Sequence, residues 1–96
     1  MRRSKLETYI AVLQILARHG PLKLTHVMYK ANLNSMVTKD YLSFLIQKGL
    51  VEERIVGRRS VKFTVTQSGL SVIKYFRELE KVLPIVEEVK RGSFSF

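Results

Sequence analysis

Apolar residues recur at two different periods along this chain, and the switch between them divides it into elements. Leu6, Ile10, Leu13 and Leu16–Ala17 fall at helical spacing behind Ser4-Lys5-Leu6-Glu7, a capping-box pattern. The spacing predicts a first helix that Gly20-Pro21 ends near His19. Leu22-Lys23-Leu24 alternates briefly, as a stub of strand would. Thr25 then fits an N-cap for a short second helix through Val27, Met28 and Ala31. Asn32-Leu33-Asn34-Ser35 reads as a turn whose last polar residues cap a third helix. That helix, over 34–48, carries Val37, Tyr41, Leu42 and Leu45 on one face and ends at Lys48-Gly49. Met36, Lys39, Asp40, Ser43 and Gln47 occupy the opposite face, which is polar apart from the methionine.

The period then shortens. Val51 to Val56 and Val61 to Thr66 are β-branched runs joined by Gly57-Arg58-Arg59-Ser60, the pattern of a β-hairpin with a basic tip. Thr66 fits the N-cap of a last helix through Leu70, Ile73, Phe76, Leu79, Leu83 and Val86 to about Lys90, some 24 residues or roughly 36 Å long. Within it Val72, Phe76, Leu79, Leu83 and Val86 alternate in steps of four and three, the seam of a coiled coil. Pro84 removes a helical hydrogen bond and is expected to kink the helix or end it there. The predicted architecture is mainly α with a small β-hairpin. A winged helix-turn-helix over residues 1–66 is followed by a long C-terminal helix over 67–91 and a tail over 92–96.

Composition narrows the functional classes. With 96 residues, 46% apolar content, two prolines and five glycines, the chain suits one small globular domain. It has no cysteine, which excludes a disulfide scaffold and the Cys-containing zinc sites, and it has no His-Glu-x-x-His pattern. His19 and His26 stand at helix ends and read as surface residues. Neither metal nor cofactor is expected. The apolar stretch Ile10–Ala17 is interrupted by Gln14 and is far short of the ~20 residues of a membrane span. Ser4, Lys5, Glu7 and Thr8 follow Arg2 and Arg3 where a signal peptide would be apolar. A cytoplasmic protein is expected, with no membrane partner and no evident small-molecule ligand. No nucleophile elbow, phosphate loop or paired-carboxylate site is legible, so an enzyme is not expected.

Charge points to a polyanion. The net charge is +9; residues 1–66 hold 12 Lys/Arg and 4 Asp/Glu, while residues 67–96 hold 5 and 4. The third helix suits the major groove of duplex DNA, where Asn34, Ser35, Lys39 and Ser43 would meet base edges. Met36 would touch a thymine methyl. Asp40 would accept from cytosine N4, form a local ion pair or repel misplaced phosphates. Arg58, Arg59 and Lys62 of the wing, residues 57–62, would follow the phosphates or enter the minor groove. Thr25 and the first amides of helix two offer a phosphate site, and Arg2, Arg3 and Lys5 form a basic arm. Tyr29 and Tyr41 read as core edges rather than base-stacking platforms. The expectation is that helix and hairpin cations converge on a single outer surface. The competing reading is a protein-interaction module of a transcription or replication complex. It would use the apolar arc of helix three with Phe44 and Ile46, together with Phe94 and Phe96.

Val27-Met28-Tyr29-Lys30-Ala31-Asn32-Leu33, then Tyr41-Leu42-Ser43-Phe44-Leu45-Ile46-Gln47-Lys48-Gly49-Leu50-Val51-Glu52, resembles the small archaeal winged-helix DNA-binding proteins. Thr64-Val65-Thr66-Gln67-Ser68-Gly69-Leu70 is similar to that family's entry to the last helix, and the amino-terminal Arg2-Arg3-Ser4-Lys5-Leu6-Glu7 also resembles it. The resemblance spans about residues 2–80. It implies a homodimer joined through an antiparallel coiled coil of the last helices, with a winged module at each end. It also implies a double-stranded DNA partner and a chromatin-like, nucleoid-associated or transcription-regulating role. Thr38 stands where the family has an apolar residue, which would loosen or wet the packing of helix three.

Overall fold

The computed structural model describes residues 4–83. Ser4 opens α1 (Lys5–His19) with the complete capping box. Its hydroxyl accepts from the Glu7 amide at 3.1 Å, and the Glu7 carboxylate accepts from the Ser4 amide at 3.1 Å. Gly20, at φ +76°, ends the helix in a conformation that side chains disfavour. The remaining elements are α2 (Leu24–Ala31), α3 (Ser35–Gln47), β1 (Val51–Val56), β2 (Ser60–Val65) and α4 (Gln67–Val82). This is the mainly helical arrangement with a two-stranded antiparallel hairpin that the hydrophobic pattern predicts.

The core draws on every helix and on the first strand. Val12, Leu13 and Leu16 of α1 meet Val27 and Ala31 of α2, Leu42 and Leu45 of α3, Val51 of β1, and Ile73 and Phe76 of α4. Each fully buried leucine or valine contributes about 1.5–3 kcal/mol relative to exposure. On α1 the inward face is rotated from the predicted one: Leu6 and Ala17 are exposed, whereas Val12 is wholly enclosed.

Thr38 does not wet the packing of α3. It is fully buried, and its hydroxyl donates to the Asn34 carbonyl oxygen at 2.7 Å, so the polar atom is satisfied inside its own helix. Thr8 in α1 does the same toward the Ser4 carbonyl at 3.0 Å.

Three further expectations change. Thr25 is not the N-cap of α2; Lys23 holds that position without a side-chain cap, and Thr25 lies inside the first turn. Of the short alternating piece only Leu22 pairs, exchanging backbone hydrogen bonds of 3.0 and 2.8 Å with Phe63. The hairpin connection is the three residues 57–59, because Ser60 already pairs with Val56.

Helix α4 is also shorter than the 24 residues expected. Thr66 caps it by accepting from the Gly69 amide at 3.1 Å, and Leu83 ends it with an extended backbone, φ −126° and ψ 134°. That is the conformation a following proline imposes on its neighbour, and Pro84 follows. Pro84, Val86 and the tail over 92–96 lie outside the described residues, as do Arg2 and Arg3.

Candidate nucleic-acid interface

Helix α3 begins where Asn34 caps it, its side-chain oxygen accepting from the Val37 amide at 2.9 Å. Asn34 therefore has a structural task at the helix start, and Ser35 is the first helical residue beside it. With Thr38, Leu42 and Leu45 committed to the core, Met36, Lys39, Asp40, Ser43 and Gln47 all face solvent. Met36 is 74% exposed, and no neighbour among the described residues covers it. Asp40 forms no ion pair; among the described residues the single ion pair joins Arg54 to Glu52 at 3.3 Å, on the exposed hairpin.

The hairpin packs beside this face. A groove of about 240 Å³ is bounded by Lys39, Ser43 and Ile46 of α3, Leu24 of α2, and Glu53 and Phe63 of the hairpin. Lys39 and Ser43 thus share one surface with the base of the wing. Glu53 is absent from the expected site residues, and it brings a carboxylate into the groove beside Lys39 and Ser43. The strand register explains its placement. Val51, Glu53 and Ile55 pair with Val65, Phe63 and Val61, and directly opposed residues share a hairpin face. This face runs from the core at Val51 through the groove to Ile55, which is 77% exposed, and Val61.

Lys62 lies on the other hairpin face. It pairs directly with Arg54, alongside Glu52 and Thr64, and so points away from the groove. Two cations opposed across a ladder repel one another, and the Glu52 carboxylate on Arg54 offsets part of that. Arg58 and Arg59 sit in the exposed turn between the strands, after Gly57 at φ +69°. The cations therefore do not converge on one surface. Lys39 faces the groove, Arg58 and Arg59 cap the wing, and Arg54 and Lys62 lie behind it.

Aromatic packing joins the start of α1 to α3. Tyr9 contacts Tyr41 and Phe44, both with ring centroids 4.7 Å apart, and the Lys48 ammonium sits 5.5 Å from the Phe44 centroid. Lys5 precedes Tyr9 by one turn on the same side of α1, which brings it to the α3 side of the molecule. Tyr41 is half-buried and reaches the core only through its ring contact with Tyr9. Tyr29 is not a core edge, being 82% exposed. Of the alternative apolar arc, Ile46 packs against the core and Phe44 is stacked on Tyr9.

On α4 the expected seam is divided. Phe76 is only 7% exposed and belongs to the chain's own core, and Val72 packs against that core. Leu79 and Leu83 are exposed, and so are Tyr75 and Val82, which the predicted seam omitted. Tyr75, Leu79 and Val82 follow one another in steps of four and three. Val86 lies outside the described residues. No helix among the described residues is long and apolar enough to cross a membrane.

A family model described as winged helix-turn-helix matches residues 2–83. No curated protein matches the chain. Among solved structures, Sso10a-2, a DNA-binding protein from Sulfolobus solfataricus, is similar with a TM-score of 0.73 and 20% identity over 94% of this chain and 92% of its own. RV1404 from Mycobacterium tuberculosis gives a TM-score of 0.73 and 20% identity over 92% of this chain. PcaV, a transcriptional regulator from Streptomyces coelicolor solved with its natural ligand, gives 0.72 and 22% over 93%. This chain spans 60% of the length of the Mycobacterium protein and 62% of PcaV. At these identities the likeness is one of fold, and that fold is the winged helix-turn-helix.

Proposed function

The chain belongs to the winged helix-turn-helix family, and we propose that it is a homodimeric double-stranded DNA-binding protein, a transcriptional regulator or chromatin-like architectural protein without catalysis. One observation carries this reading: the solvent face of α3 and the base of the wing line a common groove, with Lys39 and Ser43 opposite Glu53 and Phe63. A helix seated in the major groove presents such a face to base edges while the neighbouring hairpin reaches the flanking backbone. Ser35, Met36, Lys39, Asp40 and Ser43 read bases. Arg58 and Arg59 meet phosphates or the minor groove, and Lys62 contributes from the far side of the wing.

Asn34 acts mainly by fixing the start of the reading helix. Thr25 and the amides opening α2 contact backbone phosphate, and Arg2, Arg3 and Lys5 extend that contact. Dimerisation uses the exposed stripe Tyr75, Leu79, Val82 and Leu83 with Val72 at its edge, and Val86, the last position of the sequence-predicted seam, lies outside the described residues. Phe76 supports that stripe from within the protomer. The protein works in the cytoplasm on the nucleoid, and neither a small-molecule effector nor a cofactor forms part of this reading.

The test is equilibrium binding to random duplexes across salt concentrations. Neutralisation of about six phosphates gives a slope of log K against log salt near −5. A slope indistinguishable from zero, or negligible duplex affinity at physiological salt, would reject this function in favour of a protein-interaction module. Selection of a palindrome with half-sites about one turn or more apart identifies a specific regulator, whereas sequence-blind coating identifies an architectural protein.

A further inference from the structure

The cations that α3 and the hairpin do not use gather elsewhere. An open groove of about 510 Å³ lies between α1 and α4, with Arg18, Lys74, Arg77 and Lys81 around an apolar floor that includes Leu70 and Ile73. Among the described residues Glu78 is the one acidic side chain lining it. Gln14 and Arg18 also border a smaller hollow of about 180 Å³, which extends the basic surface across α1 to His19 and to Lys30 of α2. No residue of α3 or of the hairpin lines either depression.

These side chains are exposed, and among the described residues none is held in an ion pair. Arg18 and Lys81 stand in the last turns of their helices, where the helix dipole favours a cation. That local reason does not cover Lys74 or Arg77, which lie mid-helix. Four like charges facing one groove repel each other, and a polyanion seated there relieves that repulsion. The near-neutral net charge of residues 67–96 hides the feature, because folding sorts the α4 cations onto one side.

We propose that this groove is a second DNA-backbone site, taking the phosphodiester chain of a duplex other than the one read by α3 and the wing. The inference rests on the DNA-binding reading given above and adds a second surface to it. Lys74, Arg77 and Lys81 rise over roughly 10 Å of helix, a span comparable to about three phosphate-to-phosphate steps of one strand measured along the duplex axis. On the helical wheel they lie about 140° from the stripe of Tyr75, Leu79 and Val82. A dimer built on that stripe leaves the groove open. Each protomer can then hold two duplexes and bring separate DNA segments together.

The experiment is a stoichiometric titration at low salt with a fluorescent duplex of about one helical turn, checked by sedimentation. Three proteins are compared: the wild type, a groove variant (Arg18→Ala, Lys74→Ala, Arg77→Ala and Lys81→Ala) and a reading-face variant (Lys39→Ala, Arg58→Ala and Arg59→Ala). The expected result is two duplexes per protomer for the wild type and one for the groove variant. The groove variant also loses a phase whose salt slope is about −3 to −4. The reading-face variant is expected to keep that phase and weaken the other. An unchanged stoichiometry and salt dependence in the groove variant would overturn the proposal. So would a changed sedimentation profile of that variant without DNA, since the groove would then be a subunit contact. Loss of all binding in the groove variant with none lost in the reading-face variant would overturn both assignments, leaving the groove as the first site and α3 as none.

Discussion

The Thr66 hydroxyl donates to the carbonyl oxygen of Gly49 at 2.7 Å while it accepts from the Gly69 amide at 3.1 Å. One side chain thus ties the turn that ends α3 to the start of α4, and the Thr66 amide adds a bond to the Leu50 carbonyl at 3.0 Å. Thr66→Val removes a helix cap and a tertiary hydrogen bond together, with an expected loss of about 2 kcal/mol. For a domain of this size that lowers the melting temperature by roughly 10 °C. Thermal unfolding followed by circular dichroism measures it, and an unchanged midpoint would show that the bond contributes nothing net.

Gly69 lets α4 approach that same turn. A Cβ there would run into the Leu50 carbonyl oxygen and the Val65 side chain, and the first of these is backbone that cannot turn aside. Gly69→Ala is therefore expected to destabilise by about 1–3 kcal/mol, although alanine is the better helix former. Denaturant titration decides the sign: a stabilised variant would mean that the packing of α4 on Leu50 is loose.

Lys39 and the wing arginines are expected to behave differently. Lys39→Ala in the groove shifts sequence preference, whereas Arg58→Ala with Arg59→Ala weakens binding to every duplex and reduces the salt slope by about 2. Competition between a selected site and random DNA separates the two effects. Equal losses on both DNAs from Lys39→Ala would remove that residue from base reading.

Glu53 faces the same groove as Lys39 and repels phosphate that comes close. Glu53→Gln keeps the shape and removes the charge, so it is expected to raise duplex affinity several-fold at low salt, with the gain shrinking as salt rises. Lower affinity in this variant would instead identify the carboxylate as an acceptor for cytosine N4.

Leu79→Glu places a charge in the middle of the exposed α4 stripe and is expected to give a monomer in sedimentation without loss of helix content. A profile identical to that of the wild type would exclude the stripe from any subunit contact. Phe76 is a poor probe of dimerisation, because a charge there enters the protomer's own core.

The order of elements was legible because periodicity and caps agreed. Ser4 with Glu7, Asn34 and Thr66 each mark a helix start, and Gly20 an end, by local chemistry that tertiary packing does not override. Helix faces were less legible where small, aromatic or β-branched residues adjoin. Phe76 and Tyr75 are neighbours 100° apart, and only the position of α1 decides which of them is enclosed. The start of α2 departs from the local pattern, because Thr25 has the right chemistry for a cap, yet the chain turns two residues earlier, at Lys23. In the wing, Val51-Glu52-Glu53-Arg54-Ile55-Val56 lacks clean alternation. The face holding Glu53 became known only through its pairing with Phe63.

Leu22 grips the hairpin at Phe63 through two backbone bonds, four residues from the nearest loop position, and the core takes hold of the same region. Everything beyond that grip projects as a cantilever, with its reach fixed at the root. Residues added to or removed from 57–59 then lengthen or shorten the projection without disturbing the helices, so the wing's span can be adjusted independently of the body that carries it.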